Sequence, residues 1–358
     1  MRVLQLIDSL HPGGAERVAV SYANALSQQQ AVDSFLCTTR AEGDLKDQLK
    51  EEVGYLYLRK TSAYDMVALM KLIRFCKRNQ IGVIHAHTTS YFTATLVKVF
   101  MPRMKLVWHD HYGKSEQLNQ RPKGFLKWCS RYFDQILAVN EQLTTWAEQE
   151  LRCPKVSYLK NAVPIFEPEL INAVELPGKS GFRILLLANL RKQKDHINAI
   201  MAVKKIREDF PEVSLHMLGM HWDDDYFRSV MMHMDQAEER EYIHYHGSQQ
   251  NVNGYIKACD LGLLSSNSEG LPMALLEYAA MELPVVCTTV GQCKQVIQDD
   301  GYTAKAEDYA ALAEKLSEAL GDPLKAKMKA QRLRERVAAE YSIQTIIPKL
   351  LTVYGRLD

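Results

Sequence analysis

The chain carries no surplus of either charge: 44 basic and 43 acidic side chains among 358 residues leave a formal net charge of +1. A nucleic-acid binder concentrates positive charge against phosphates, so nucleic acid is not expected as a partner. No apolar run of about 18 residues occurs, so no bilayer-spanning helix is expected and any membrane contact would be peripheral. The first apolar stretch, residues 3–7, is interrupted by Asp8 and His11 too early for a secretory signal. A cytoplasmic location is therefore expected. The seven cysteines (Cys37, Cys76, Cys129, Cys153, Cys259, Cys287 and Cys293) form no CxxC pair, and several lie in apolar runs such as Phe35-Leu36-Cys37. That is the pattern of reduced, buried thiols. Absent too is a Gly-x-Gly-x-x-Gly after either apolar run, 3–7 or 183–188, that would open a dinucleotide fold. A dinucleotide oxidoreductase is thereby disfavoured.

What is present is an ordinary globular composition, 47% hydrophobic and 24% charged, long enough for two domains. Residues 3–7 read as a strand, Gly13-Gly14 as a turn, and Val18, Tyr22, Ala25 and Leu26 as one face of a helix. Short apolar runs at 35–38, 83–86, 105–108 and 135–139 read as buried parallel strands, and 66–78 as an amphipathic helix. Between 161 and 181 the rhythm is broken by Pro164, Pro168 and Pro177 and by Gly178 and Gly181, as in a linker. It restarts with a strand at 183–188, a helix at 197–208 and a strand at 214–218 ending at Gly219; further strands are expected at 261–264 and 284–287. A long charged helical region, 307–340, precedes an apolar stretch, 342–354. The expected architecture is α/β, with two doubly wound Rossmann-like domains. Residues 1–165 form the first, 166–181 the linker and 182–341 the second, with 342–358 packing back on the first.

The densest chemical signal is Ser265-Ser266-Asn267-Ser268-Glu269-Gly270-Leu271-Pro272-Met273-Ala274-Leu275-Leu276-Glu277. A strand ends, a Ser-rich loop follows, and Pro272 stands where a helix begins, a place proline favours. Free N–H groups and the positive helix end make a phosphate site. Glu269 is expected in the loop and Glu277 within the helix, with eight residues spanning about 12 Å if all were helical. Carboxylates accept hydrogen bonds from sugar or ribose hydroxyls. The plainer alternative is an acid near a helix start and a solvated helix residue. A second cationic loop, Asn189-Leu190-Arg191-Lys192-Gln193-Lys194-Asp195, follows the strand at 183–188, at the end where α/β sheets bind ligands.

The 265–291 segment closely resembles the Glu-x7-Glu signature of retaining family-4 glycosyltransferases with the GT-B fold. Gly13-Gly14-Ala15-Glu16-Arg17, Val83-Ile84-His85-Ala86-His87 and Lys160-Asn161-Ala162-Val163-Pro164 resemble further segments of that family, Ala162 replacing a usual glycine. The resemblance implies two Rossmann-like domains facing across a cleft and a nucleotide-diphosphate-sugar donor held by the second domain. It implies that Glu269 faces the transferred sugar and Glu277 holds the ribose, with Gly14, Gly219, Gly270, Leu271 and Pro272 lining the donor. The family's Gly-Arg-Leu-x-x-x-Lys motif puts Lys194 on its Lys, gripping the diphosphate. Asn189 falls where Arg is usual; either Arg191 supplies the missing charge or Asn189 bonds phosphate without it. A family histidine near the point of transfer aligns best with His109, with His111 second, on the acceptor side. No cofactor is implied. The acceptor class is a glycan or lipid-linked glycan in bacterial surface polysaccharide assembly, which would bring the protein to the inner face of the cell membrane.

Other features have competing readings. His109, Asp110 and His111 could ligate a metal, as could His85 and His87, but no set of four ligands has the usual spacing, and no metal is expected. Asp223-Asp224-Asp225 resembles the manganese motif of another glycosyltransferase fold, yet it sits where acids cap a helix. Residues 112–133 mix Lys114, Arg121, Lys123, Lys127 and Arg131 with Phe125, Leu126, Trp128, Tyr132 and Phe133. That composition suits either an ordinary amphipathic helix or a surface lying on anionic lipid. Two rivals share the frame: a nucleotide-sugar 2-epimerase, and an inactive nucleotide-binding homologue.

Overall fold

A computed structural model describes residues 1–113, 115–235 and 239–357. The chain divides into two compact units, one comprising Met1–Ala162 with Ile343–Asp358 and the other Val163–Ser342.

The first unit is built on a seven-stranded sheet. Its strands are β1 (Arg2–Ile7), β2 (Asp33–Thr38), β3 (Gly54–Tyr57), β4 (Val83–His87), β5 (Lys105–Asp110), β6 (Gln135–Ala138) and β7 (Val156–Tyr158). Their order is 3-2-1-4-5-6-7, and every pairing is parallel. The order reverses between β1 and β4, and such a reversal opens a crevice at the strands' carboxyl ends. Central strands are buried on both faces, which is why they appear in the sequence as plain apolar runs. The edge strands β3 and β7 are only half-buried and carry tyrosine or serine, so no apolar run announces them.

The helix Gly14–Ser27 buries Val18, Ala19, Tyr22, Ala23 and Leu26. The helix Ile343–Gly355 belongs to this unit too, burying Ile346, Ile347, Leu350 and Tyr354. All seven cysteines are buried and reduced.

The second unit holds a six-stranded parallel sheet in the order 10-9-8-11-12-13. Its strands are β8 (Arg183–Leu187), β9 (Ser214–Leu218), β10 (Ile243–Tyr245), β11 (Leu261–Leu264), β12 (Val285–Thr288) and β13 (Tyr302–Ala304). The expected single helical region at 307–340 is two helices, Tyr309–Gly321 and Pro323–Tyr341. Asp322 caps the second through Lys325 N, and Pro323 opens it, so the break is written in two adjacent residues. Val163 bridges Ser342 in parallel where the chain enters and leaves this unit.

Candidate active site

In the second unit, two loops at the carboxyl ends of β8 and β11 are stitched together. The Ser265 hydroxyl donates to the Lys194 carbonyl at 2.9 Å, and the Asn267 N–H donates to the Gln193 carbonyl at 2.9 Å. Thr288, ending β12, donates its hydroxyl to the Ser266 carbonyl at 2.5 Å. The cross-bracing fixes Lys194, whose ammonium lies 2.5 Å from Glu269 Oε1. Ser266 donates to the same carboxylate oxygen at 2.6 Å. Glu269 is 5% exposed, so its charge is paired rather than solvated. The Ser265 contribution was invisible as chemistry in the sequence, because its partner Lys194 lies 71 residues away.

The helix Met273–Ala280 begins one residue after Pro272, which occupies the capping position and supplies no side-chain cap. The first N–H groups therefore remain suited to an external acceptor. Because Glu269 lies four residues before the helix, the 12 Å span expected for eight helical residues does not apply. Glu277 is the fifth helical residue, about 6 Å along the axis. Tyr278 seats this helix: its buried hydroxyl accepts from Leu187 N at 2.7 Å and donates to the Leu185 carbonyl at 3.1 Å. Leu271 is buried, and the Gly270 carbonyl accepts from Gln292 N at 3.0 Å. At Gly291, φ is +52° and a Cβ would crowd the carbonyls of Glu269 and Gly270, so only glycine lets that chain segment back the acidic loop.

Asn189 has a local task. Its Oδ1 accepts from Met220 N at 2.9 Å, tying the loop after β8 to the loop after β9. Gly219 fits the same junction, where a Cβ would overlap the Ala188 carbonyl. Arg191 is exposed, with its guanidinium 4.6 Å from the Trp222 ring centroid. Asp195 turns the chain at φ +48° and caps the helix His196–Ile206 through Asn198 N. Asp224 caps the helix Asp225–Met234 through Phe227 N, while Asp223 and Asp225 both pair with Arg228. Those acids are committed to a helix start.

In the first unit, Gly14 opens a 14-residue helix whose cap, Gly13, is extended and contributes no side chain. The histidines gather in one layer. His87 on β4 is in register with His109 on β5, and His85 lies two residues back on the same face. His109 is fully buried, stacked against Tyr22 and His85, and neither ring nitrogen has a partner. His111, one residue past the end of β5, is only partly buried. Of the two histidines singled out from the sequence, then, His109 is walled in by side chains and His111 stands at the carboxyl end of the sheet. Burial holds His85 and His111 neutral, both pushed down to about 3, and drives His87 and His109 well below the ordinary imidazole range.

Ligand nitrogens of His85, His87 and His109 lie within 4.8 Å of one another. Both nitrogens of His87 are already bonded, however, to Gln5 and His111, and the His85 and His87 rings stack only 13° from parallel. A metal would have to break one of those bonds. Asp110 is occupied as well, held by both terminal nitrogens of Arg121 at 2.6 and 2.8 Å.

Arg121, Leu126 and Phe133 are drawn inward, which removes them from the surface expected over 112–133, and Lys114 lies outside the described residues. Phe125 and Trp128 remain exposed, at 49% and 40%, in a ring series running Tyr64, Phe92, Phe125, Trp128, Tyr132. Among the described residues no helix is long and apolar enough to cross a membrane.

Two family models match the chain in succession: Glycosyltransferase Family 4 over residues 12–165 and Glycosyl transferases group 1 over 169–338. The chain is 23% identical over 304 residues to N-acetyl-alpha-D-glucosaminyl L-malate synthase of Bacillus anthracis, covering 81% of this chain and 79% of that one. It is 20% identical to an Escherichia coli UDP-Gal:alpha-D-GlcNAc-diphosphoundecaprenol alpha-1,3-galactosyltransferase, covering 95% and 93% of the two chains. Among solved structures, HepE of Anabaena in complex with UDP-glucose superposes with a TM-score of 0.81 at 16% identity, over 99% of this chain and 100% of that one.

Proposed function

The chain belongs to the family-4 glycosyltransferases of GT-B fold, and from that premise we propose that it moves a sugar from a nucleotide-diphosphate sugar to a hydroxyl of a glycan or lipid-linked glycan, retaining the anomeric configuration. The observation that carries this reading is the ion pair between Lys194 and Glu269 beside the uncapped helix at Met273. Breaking the bond between the sugar's anomeric carbon and the diphosphate leaves negative charge on phosphate. The Lys194 ammonium and the helix N–H groups meet that charge, supplying without a metal the preorganised stabilisation the step requires. Glu269, released from Lys194 as the diphosphate takes over the ammonium, accepts from a hydroxyl of the transferred sugar, and Glu277 accepts from the ribose. The new bond forms between the anomeric carbon and the acceptor oxygen on the face the phosphate leaves. The acceptor's proton passes to the departing phosphate oxygen, so no side-chain nucleophile is needed. Gly219, Gly270, Leu271 and Pro272 shape the donor pocket, with Asn189 acting through its hold on the Met220 loop and Arg191 as the outer cation.

In the first unit, His111, one residue past β5 and partly exposed, is better placed than the fully buried His109 to offer an imidazole to a sugar. Gly14 opens its helix with no side-chain cap, which suits the donor-binding role that the family resemblance implies for it. A lipid-linked acceptor fits the diphosphoundecaprenol substrate named for the Escherichia coli relative. The exposed aromatic series, flanked by Lys123, Lys127 and Arg131, suits peripheral contact with an anionic inner leaflet during glycan assembly. A thermal-shift screen against UDP-, GDP-, ADP- and CMP-sugars identifies the donor, since bound ligand raises the melting temperature by mass action. NMR of the product's anomeric proton then reads the stereochemistry. Inversion would refute the retaining mechanism, and an isomerised donor without an acceptor would identify an epimerase instead.

A further inference from the structure

Gln5 sits in the middle of β1, opposite His85 on β4, and is fully buried. A buried amide must place its donor and acceptor, and this one places both. Its Oε1 lies 2.8 Å from His87 Nε2, and its Nε2 lies 3.3 Å from the hydroxyl of Tyr354 on the helix Ile343–Gly355. On its other side, His87 Nδ1 lies 3.1 Å from His111 Nε2. A polar chain therefore runs from the C-terminal helix through β1 and β4 to the residue just past β5.

The chain has a direction. An amide oxygen only accepts, so His87 donates from Nε2. A neutral imidazole has one N–H, so His87 Nδ1 is bare and can only accept. His111 must then donate from Nε2, which leaves its Nδ1 as the acceptor. The Tyr354 end agrees with this direction: the hydroxyl accepts from Gln5 and has its own proton free for His85 Nδ1, 2.6 Å away. Burial keeps both His87 and His111 neutral, so each holds a single ring proton whose position is decided by its partner.

We propose that Gln5 and His87 are positioning residues that lock His111 in its Nε2–H tautomer and thereby present Nδ1 as a hydrogen-bond acceptor for a hydroxyl of the transferred sugar or the acceptor. The role of His111 rests on the function proposed above; the tautomer lock does not, and the two are tested separately.

The lock is read by two-bond proton–nitrogen correlation NMR on the full chain labelled with nitrogen-15 in histidine, the His111 signals being assigned with His111→Ala. The wild type is expected to show His111 as the Nε2–H form alone. His87→Leu and Gln5→Leu should give a mixture of tautomers and lower kcat/KM about 10-fold, the value of roughly one hydrogen bond. His87→Gln, which can accept from His111 and donate to Gln5, should restore the single tautomer and most of the rate. Gln5→Glu should keep the tautomer as well, because it keeps the acceptor. An Nδ1–H form or a mixture in the wild type overturns the proposal, as does an unchanged tautomer in both leucine variants. The wild-type spectrum and His87→Gln decide the matter even if the leucine variants fail to fold. Full activity in His111→Ala would remove the catalytic role of His111 while leaving the tautomer lock standing.

Discussion

Lys194 and Glu269 meet at 2.5 Å across 75 residues of chain, joining the loop after β8 to the loop after β11. The pair sets a nearly buried carboxylate against the ammonium that the proposed mechanism hands to the diphosphate. Lys194→Ala is expected to lower kcat by about 100-fold or more at saturating donor, the scale of one lost transition-state donor. Lys194→Arg should retain charge but misplace it, because a planar guanidinium cannot occupy the ammonium's position between two loops. Steady-state kinetics decide: a near-normal kcat in the alanine variant removes Lys194 from the reaction.

Glu277 separates binding from chemistry. Glu277→Gln should raise KM for the donor about 10-fold, the value of a weakened charge-assisted hydrogen bond, while leaving kcat within a few-fold. The expectation follows from its place about 6 Å along the helix, beyond the end proposed to meet the phosphate. A fall in kcat with unchanged KM would move Glu277 to the reacting centre and contradict the ribose assignment.

Much of this was legible before the structure because its cause is local. The central strands, buried on both faces, announce themselves as apolar runs, and the Ser-rich loop before Pro272 announces a helix start. What sequence could not show was whatever depends on distant partners. Asn189 reads as a missing arginine until its side-chain oxygen is seen holding Met220 N, and Ser265 reads as loop filler until its hydroxyl is seen bonded to the Lys194 carbonyl. In Trp108-His109-Asp110-His111 the family resemblance favours His109 over His111. Where β5 ends separates them, and strand ends are set by neighbouring strands rather than by the residues themselves. The edge strands β3, β7, β10 and β13 are not announced by the sequence, for each is only three or four residues long and β3, β7 and β10 are mostly half-buried.

The neutral histidines make the fold acid-sensitive. His85, His111 and His216 are pushed down to about 3 and His196 to about 4, all by burial. In the unfolded chain each returns to about 6.5. Below that value the unfolded state binds protons the folded state refuses, so stability falls as pH drops from about 6.5 toward 4 and is fully present above 6.5. Each such histidine contributes at most about 1.4 kcal/mol per pH unit in that window. Urea titrations at pH 7.5, 6.0 and 5.0 should show a steadily falling midpoint. The His87→Gln variant should show a shallower fall than the wild type, having one fewer site to protonate. A midpoint flat from pH 7.5 to 5 would mean that the cluster is hydrated or already charged.

The exposed ring series sets a test of where the enzyme works. Phe125 and Trp128 are stacked at 6.1 Å between centroids, with Arg131 6.0 Å from the Trp128 ring, Lys127 next to Trp128 in sequence and Lys123 paired with Glu150. In water this arrangement leaves apolar surface uncovered; at an anionic interface the rings enter the headgroup layer while the cations remain with the phosphates. Wild-type protein should co-sediment with vesicles rich in anionic lipid at low salt, and less so as ionic strength rises and screening shortens the reach of the charges. Phe125→Ser with Trp128→Ser should lose most of that binding and leave turnover on a soluble acceptor analogue unchanged, because neither ring belongs to the donor site. Binding that survives the double substitution, or equal binding to neutral vesicles, would show that this face is not what meets the membrane.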